Sequence, residues 1–479
     1  MSRQSDNAKR HITLQLCIFI GLCFLWTSSE YLTWLYHLMS CAPDWNADML
    51  SEVFGYLFQV AGLLLYAFLI RKKGDYSDSI PAFVIVFIAD FLAFIAGSTL
   101  SDPAMILVFG YIMNLLHGII AGIYICYLVR FVCKNKRGIV FGLGYAIGTL
   151  GTWLLSLPTS DNFLTSRYIL LVYALFTAIS IVFGIHILHH TVPADDAEDV
   201  ETQGKPDEET QKTSNAYSIL ALVCVLVLLF SLTKGLGFYF PMADISSKKV
   251  SLEFSRIFYS IGLILAGILN DKSRKYGLIA CTTSLVFPYI SLLLINQADS
   301  AFIVWILSYL FAGFYSVYRV IVLSDLAEDT GMMWIAGFGL LFGRIGDAAG
   351  SAVGIALISH TTPIILICTV LFVITIVLTY AAFEKLYMVK PAETIRYIPS
   401  TNESNENRLQ MFIDKYSLSN REAEVLALAL TKKTNTQISE ELFISDNTIK
   451  FHIRNILKKT GCANRNELKQ LYANETSTT

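Results

Sequence analysis

IPAFVIVFIADFLAFIAGST, residues 80–99, is a run of twenty residues whose one charge, Asp90, stands near its middle. The hydrocarbon core of a bilayer is about 30 Å thick, and roughly 20 helical residues cross it. The run therefore predicts a membrane span with an aspartate placed deep in lipid. Similar runs recur through most of the 479 residues. The chain is 54% hydrophobic and only 15% charged, with a mean hydropathy of +0.54; an average soluble domain carries about 25% charged residues. The expected fold class is all-α, a polytopic membrane protein.

Twelve spans can be laid down at 12–36, 50–70, 80–99, 104–131, 138–157, 168–189, 216–239, 254–270, 278–296, 301–323, 333–358 and 363–383. Lys and Arg in the short connections set their orientation. One side holds Arg167, Lys248, Lys249 and Arg256, against eighteen basic residues on the other, among them Arg71–Lys73, Arg130, Lys134, Lys136, Arg137, Lys272, Arg274 and Lys275. Both termini are thus expected in the cytoplasm, with the chain in a bacterial inner membrane. The first apolar run is long, lacks a small-residue cleavage site and reads as a signal anchor. The nine cysteines form no CxxC pair and no Cys/His zinc spacing, so neither a disulfide framework nor a metal is expected. A net charge of −2 decides nothing, because the charges are segregated.

TVPADDAEDVETQGKPDEETQKTSN, residues 191–215, is acidic and poor in apolar residues, the composition of a cytoplasmic linker. It divides the spans six and six. Span five contains GLGYAIGTLGT (142–152) and span eleven GFGLLFGRIGD (337–347). Their glycines fall in register as Gly142/Gly337, Gly144/Gly339, Gly148/Gly343 and Gly151/Gly346, which predicts two parallel repeats. The expected domains are two membrane halves (1–190 and 216–385) around that linker, a tether (386–412) and a C-terminal module (413–479).

The membrane residues resemble the major facilitator superfamily. After span eight stands GILNDKSRKYG (267–277), similar to that superfamily's G-x-L-x-D-x-x-x-R-K signature at Gly267, Leu269, Asp271, Arg274 and Lys275. The equivalent loop after span two, RKKGDYSD (71–78), has the charges without the pattern. Charge at bilayer depth costs at least about 2.5–3.5 kcal/mol and points to function. Glu30, Asp90, Arg319, Arg344 and Asp347 qualify, and they are the candidate contacts for a small-molecule ligand. Arg344 and Asp347 are three apart, on one helical face; their counterparts in span five are Thr149 and Thr152. Structural alternatives stand beside this reading: Arg344 pairs with Asp347 to lock two helices, and Arg319 snorkels to the surface. Lys234 reads as a snorkelling residue and His117 as a hydrogen-bonded core residue.

After the last span the composition turns polar. Residues 416–472 read as four short helices, with starts at Ser419, Thr434, Ser445 and Asn464 and with Glu422 and Glu467 three residues into the first and last. In the third, Ile449, Ile453, Ile456 and Leu457 recur at helical spacing and face a core. The other face presents Asn447, Lys450, Phe451, Arg454 and Lys458, which suits phosphates and the major groove. The module resembles the LuxR (NarL/FixJ) helix-turn-helix at Leu418, Arg421, Glu422, Glu424, Val425, Leu426, Ile438, Leu442, Ser445, Thr448, Lys450, His452, Asn455, Ile456, Lys459, Gly461, Asn464 and Arg465, and from 447 to 465 it carries five basic residues (Lys450, Arg454, Lys458, Lys459 and Arg465) and no acidic one. It departs at Lys432, Ser439, Thr460 and Phe451. The resemblance implies base contacts from Lys450, Phe451 and Arg454, phosphate contacts from Thr448 with basic neighbours, and a homodimer seam on the fourth helix at Leu468, Leu471 and Tyr472.

No nucleophile–base pair, metal cluster or nucleotide loop is legible, so neither an enzyme nor a cofactor is expected. The expected function is a membrane-embedded one-component transcriptional regulator that senses a small molecule in its spans and grips double-stranded promoter DNA. The alternative is a major-facilitator-type transporter with an appended regulatory module, its coupling carboxylates supplied by Glu30 or Asp90.

Overall fold

The computed structural model describes residues 2–47, 49–73, 79–156, 169–189, 206–243, 252–293, 298–357, 360–387, most of 409–438, 446–462 and 464–476. The chain forms two compact units, Met1–Tyr387 and Met388–Thr479. No strand occurs among the described residues.

The first unit contains α1 (Ser2–Cys41), a π-helical turn (Met49–Gly55) leading into α2 (Tyr56–Lys72), α3 (Ile80–Thr99), α4 (Pro103–Phe131), α5 (Lys134–Ser156) and α6 (Ile169–His189). There follow α7 (Pro206–Ala243), α8 (Leu252–Lys272), α9 (Arg274–Ser284), α10 (Val286–Leu293), α11 (Ala298–Thr330), a 3₁₀ turn (Met333–Ile335), α12 (Phe338–Leu357) and α13 (Thr361–Tyr387). Helix starts follow local chemistry. Ser79 Oγ accepts from the Ala82 N–H at the head of α3, and Pro103 opens α4, where its missing N–H leaves nothing unpaired.

Among the described residues ten helices are long and apolar enough to cross a membrane, not the twelve expected. The difference lies at the eighth and ninth positions. The eighth is α8, whose described side chains begin only at Ile257 and so cover less than the length of a span. The ninth is broken at Leu285 into α9 and α10, of 11 and 8 residues. Pro288 explains the break: it has no N–H for the Ser284 carbonyl, and its ring disfavours a helix running through that turn.

Without water there is little hydrophobic force between helices in lipid, so close approach through small residues does the packing. A Cβ on Gly62 would lie 1.9 Å from the Leu115 carbonyl oxygen, and one on Gly118 2.1 Å from that of Gln59, so α2 and α4 cross backbone to backbone. The second half repeats the device. A Cβ on Gly262 would lie 1.8 Å from the Leu310 carbonyl oxygen, and Gly313 abuts Gly262, joining α8 to α11. Of the four glycine pairs in register, two play equivalent parts. Gly142 and Gly337 face α8 and α2, and Gly151 and Gly346 face α1 and α7. Gly339 and Gly343 diverge from Gly144 and Gly148 and make room for Arg319 instead. Outward residues such as Ile85, Leu92, Leu171, Val182, Leu366 and Val377 stay exposed, as lipid-facing side chains should.

The second unit has its own core of Phe412, Leu418, Val425, Leu426, Ala429, Ile438, Ile449, Ile456 and Leu468. Its helices include α14 (Asn420–Ala429), α15 (Asp446–Thr460) and α16 (Arg465–Thr476). Phe412 is buried there with Leu409 packed against the cluster, so residues at the end of the segment read as tether take part in the folded unit.

Candidate functional sites in the membrane unit and the C-terminal unit

Asp347, buried midway along α12, gathers the charges of the second half. Lys234 Nζ of α7 lies 2.9 Å from Asp347 Oδ1 and Arg319 Nη1 of α11 3.7 Å from Oδ2. Ser231 Oγ stands 2.7 Å from the same carboxylate and 2.6 Å from the Gly343 carbonyl oxygen. Arg319 donates to Tyr315 Oη at 2.7 Å, and its guanidinium lies 4.7 Å from the centre of that ring. The bed it occupies exists because residue 343 has no side chain: a Cβ there would sit 2.1 Å from Arg319 Nη1. Arg319 is 3% exposed, so it is held in the interior and does not snorkel.

Arg344 does not pair with Asp347. Its guanidinium lies 4.6 Å from the ring centre of Tyr56, in α2 of the other half, and among the described residues no carboxylate is within ion-pairing distance of it. Glu52, in the π-helical turn before α2, accepts from Ser351 Oγ at 2.9 Å, one helical turn beyond Asp347. Lys234, Arg319 and Arg344 thus face Asp347 and Glu52, a net positive, aromatic-rich patch between the halves. Such a patch can hold an anionic group and cover an apolar body with rings.

A second constellation lies in the first half. His117 Nε2 of α4 is 3.3 Å from Glu30 Oε2 of α1 and 3.5 Å from Asp90 Oδ1 of α3. Both carboxylates are fully buried. Among the described residues Glu30 and Asp90 share no hydrogen bond or ion pair with Arg319, Arg344 or Asp347.

A third set ties the halves together at the basic end. Arg137 of α5 is fully buried, donates from Nη2 to the Val129 carbonyl at 2.8 Å, and reaches Asp325 and Glu328 of α11 at 2.9 Å each. Asp325 also receives Arg274 Nε at 2.7 Å. Asp271 accepts from the Gly138 and Ile139 N–H groups at 2.7 Å each, meeting the positive end of α5 with a carboxylate. Lys134 pairs with Asp329, and its carbonyl accepts from Arg274. Signature residues Asp271 and Arg274 thus bridge the two halves.

In the second unit, Ile449 and Ile456 of α15 are buried, with Ile453 and Leu457 packed at the core's edge. Lys450, Arg454 and Lys458 lie exposed on the other side of the helix. Asn447, Thr448 and Phe451 stand on the same helix, but their side chains, like Lys432, Ser419, Ser439, Leu442 and Ser445, lie outside the described residues. Lys459 is committed elsewhere, 2.7 Å from the nearly buried Glu422. Arg465 donates from Nε to the Ala429 carbonyl at 2.8 Å and so caps α14. Thr434 and Gln437 cap each other's N–H groups reciprocally, as do Asn464 and Glu467 in part. Gly461 takes φ +73° and lets the Cys462 N–H reach the Leu457 carbonyl at 3.0 Å, closing α15. Leu468, expected on a dimer seam, is 1% exposed inside the unit's own core; only Leu471 and Tyr472 remain half-exposed.

Sequence reasoning missed Lys234, which meets Asp347 instead of snorkelling, as well as Glu52, Tyr56, Tyr315 and Arg137. It read His117 as core without seeing the two carboxylates it joins. Lys234 carried one usable signal, a lysine within an otherwise uncharged span.

Residues 416–472 match the family model for bacterial regulatory proteins of the luxR family. The chain is 49% identical over 51 residues to the transcriptional regulatory protein LiaR of Bacillus subtilis, a stretch covering 11% of this chain and 24% of that protein. It is 41% identical over 56 residues to the spore germination protein GerE of the same organism, covering 12% of this chain and 76% of GerE. The membrane unit is similar in fold to the human organic anion transporter MFSD10 (TETRAN), with a TM-score of 0.57 and 15% identity over 78% of this chain and 99% of that one. It is likewise similar to the E. coli fucose:proton symporter FucP, with a TM-score of 0.53 and 14% identity over 77% and 98% of the two chains. The fold is a major-facilitator-like membrane domain carrying a LuxR-type DNA-binding domain.

Proposed function

We propose, from the premise that this chain belongs through residues 416–472 to the luxR family of bacterial regulatory proteins, that it is a one-component transcriptional regulator which works from within the inner membrane. A small molecule with an anionic group binds between the membrane halves, and the C-terminal unit grips promoter DNA from the cytoplasmic face as a homodimer. The observation that carries this reading is the pairing, in one chain, of the exposed Lys450–Arg454–Lys458 face with a membrane unit in which, among the described residues, no carboxylate pairs with Arg344.

The steps follow from the geometry. A ligand shifts an equilibrium only by binding its two states unequally. An anion held by Arg344 and Arg319 competes with Asp347 for Arg319 and draws α2, α11 and α12 together. The ion pairs of Arg137, Arg274 and Asp325 hold α5 and α9 against α11 at the basic end, Asp271 holds α8 against α5, and these are the contacts that any rearrangement of the halves must remake. Two tethered C-terminal units at one patch of membrane raise each other's effective concentration over an operator with paired half-sites.

The test is a promoter reporter driven by the full chain. Lys450→Ala with Arg454→Ala abolishes the response, and Arg344→Gln abolishes ligand dependence while leaving DNA binding. A response that survives both would end the proposal. The fold likeness to transporters favours one second reading, a transporter with an appended regulatory unit. Uptake of a labelled solute into vesicles, lost on Glu30→Gln or Asp90→Asn, is its signature.

A further inference from the structure

Glu30, Asp90 and His117 converge from α1, α3 and α4 into a setting where their exposures are 0%, 0% and 7%. Among the described residues no Lys or Arg is within ion-pairing distance of either carboxylate. Glu30 Oε1 and both Asp90 oxygens have no hydrogen-bond donor. Two donor-starved carboxylates in the interior of a membrane unit carry a large desolvation cost that something must offset.

The spacing says what. His117 Nε2 stands 3.3 Å from Glu30 Oε2 and 3.5 Å from Asp90 Oδ1. N–H···O bonds run at about 2.7–3.2 Å, and one ring N–H cannot serve two acceptors well. Ligand atoms placed about 2.0–2.2 Å from a tetrahedral zinc ion, by contrast, stand about 3.3–3.6 Å from one another. All three donor atoms lie within 4.8 Å of each other. A divalent ion cancels two carboxylates and takes a neutral imidazole as its third ligand, leaving the cluster uncharged.

We propose that Glu30, Asp90 and His117 bind one divalent transition-metal ion of zinc-like chemistry. A second carboxylate oxygen, Glu30 Oε1 or Asp90 Oδ2, completes four-coordination. The ion pins α1, α3 and α4 to one another. Because the donors are sealed from solvent, it exchanges slowly and resists chelators in the folded protein.

The experiment uses the untagged full chain, purified in detergent from cells supplied with zinc. Elemental analysis after gel filtration is expected to find one zinc per chain. Glu30→Gln and Asp90→Asn, close in shape to the natural residues, reduce that content to background with an unchanged elution profile. Chain produced with Co²⁺ shows the intense visible band of a four-coordinate ion. Should the variants misfold, the wild-type Co²⁺ spectrum and chelator-exchange rate decide alone. Wild-type protein with no bound metal, a weak six-coordinate spectrum, rapid loss to chelator, or full metal content in well-folded Glu30→Gln overturns the proposal; the first of these would mean the cluster holds protons only. DNA binding by the C-terminal unit does not depend on the outcome.

Discussion

Replacing Asp347 by Asn keeps the shape of the side chain and removes the charge that two cations share. Lys234 and Arg319 approach the carboxylate to 2.9 and 3.7 Å. At an effective dielectric of about 20, each pair attracts by roughly 4–6 kcal/mol before desolvation is counted. Removing one member of a buried pair leaves the others uncompensated, at a net cost of about 3–5 kcal/mol. The Asn amide worsens matters, since its NH₂ group turns a donor toward the two cationic donors. Unfolding by added SDS in mixed micelles measures the loss, and Lys234→Met supplies the second arm of a double-mutant cycle. With one stranded cation already removed, Asp347→Asn should cost less in the Lys234→Met background, a coupling of about 1–3 kcal/mol. Arg319 keeps the coupling below the full pair energy. A loss below about 1 kcal/mol for Asp347→Asn, or additivity of the two changes within about 0.5 kcal/mol, would refute the charge cluster.

The two adjacent lysines of α15 should behave differently. Lys458→Ala in the full chain lowers the slope of log K for DNA against log salt by about 0.9 per copy, as loss of a phosphate contact does. Lys459→Ala leaves that slope unchanged and costs the C-terminal unit about 1 kcal/mol by removing one ion-pair partner of nearly buried Glu422, which thermal unfolding of residues 388–479 reads directly. Gly461→Ala, at φ +73°, destabilises the same unit by about 1–2 kcal/mol; an unchanged melting temperature would mean that α15 ends another way.

Much of this molecule is legible in its residues. A run such as 80–99 states its own length and solvent, and the spacing of Ile449 and Ile456 is enough to name the buried side of α15. Asp90, Arg319 and Asp347 announce themselves as charges in apolar company. What they touch is not announced. Lys234 finds Asp347 across 113 residues, and His117 joins Glu30 and Asp90 across three helices, through packing that no periodicity records. The basic character of Lys459 and Arg465 suggests DNA contact, yet both are spent inside the unit, on Glu422 and the end of α14. Leu468 fits an outward seam by position, but the core claims it. The break at Leu285 is readable from Pro288; overall hydrophobicity hides it.

At the centre of the proposed mechanism is a C-terminal unit that grips DNA while its chain stays in lipid. Formaldehyde crosslinking of growing cells, isolation of the membrane fraction, and sequencing of DNA recovered with the full chain tests this directly. Sharp enrichment at a few promoters, absent from a Lys450→Ala, Arg454→Ala chain present at equal abundance, is the predicted result. Recovery of no promoter above background from that fraction, or equal recovery with the substituted chain, would contradict it.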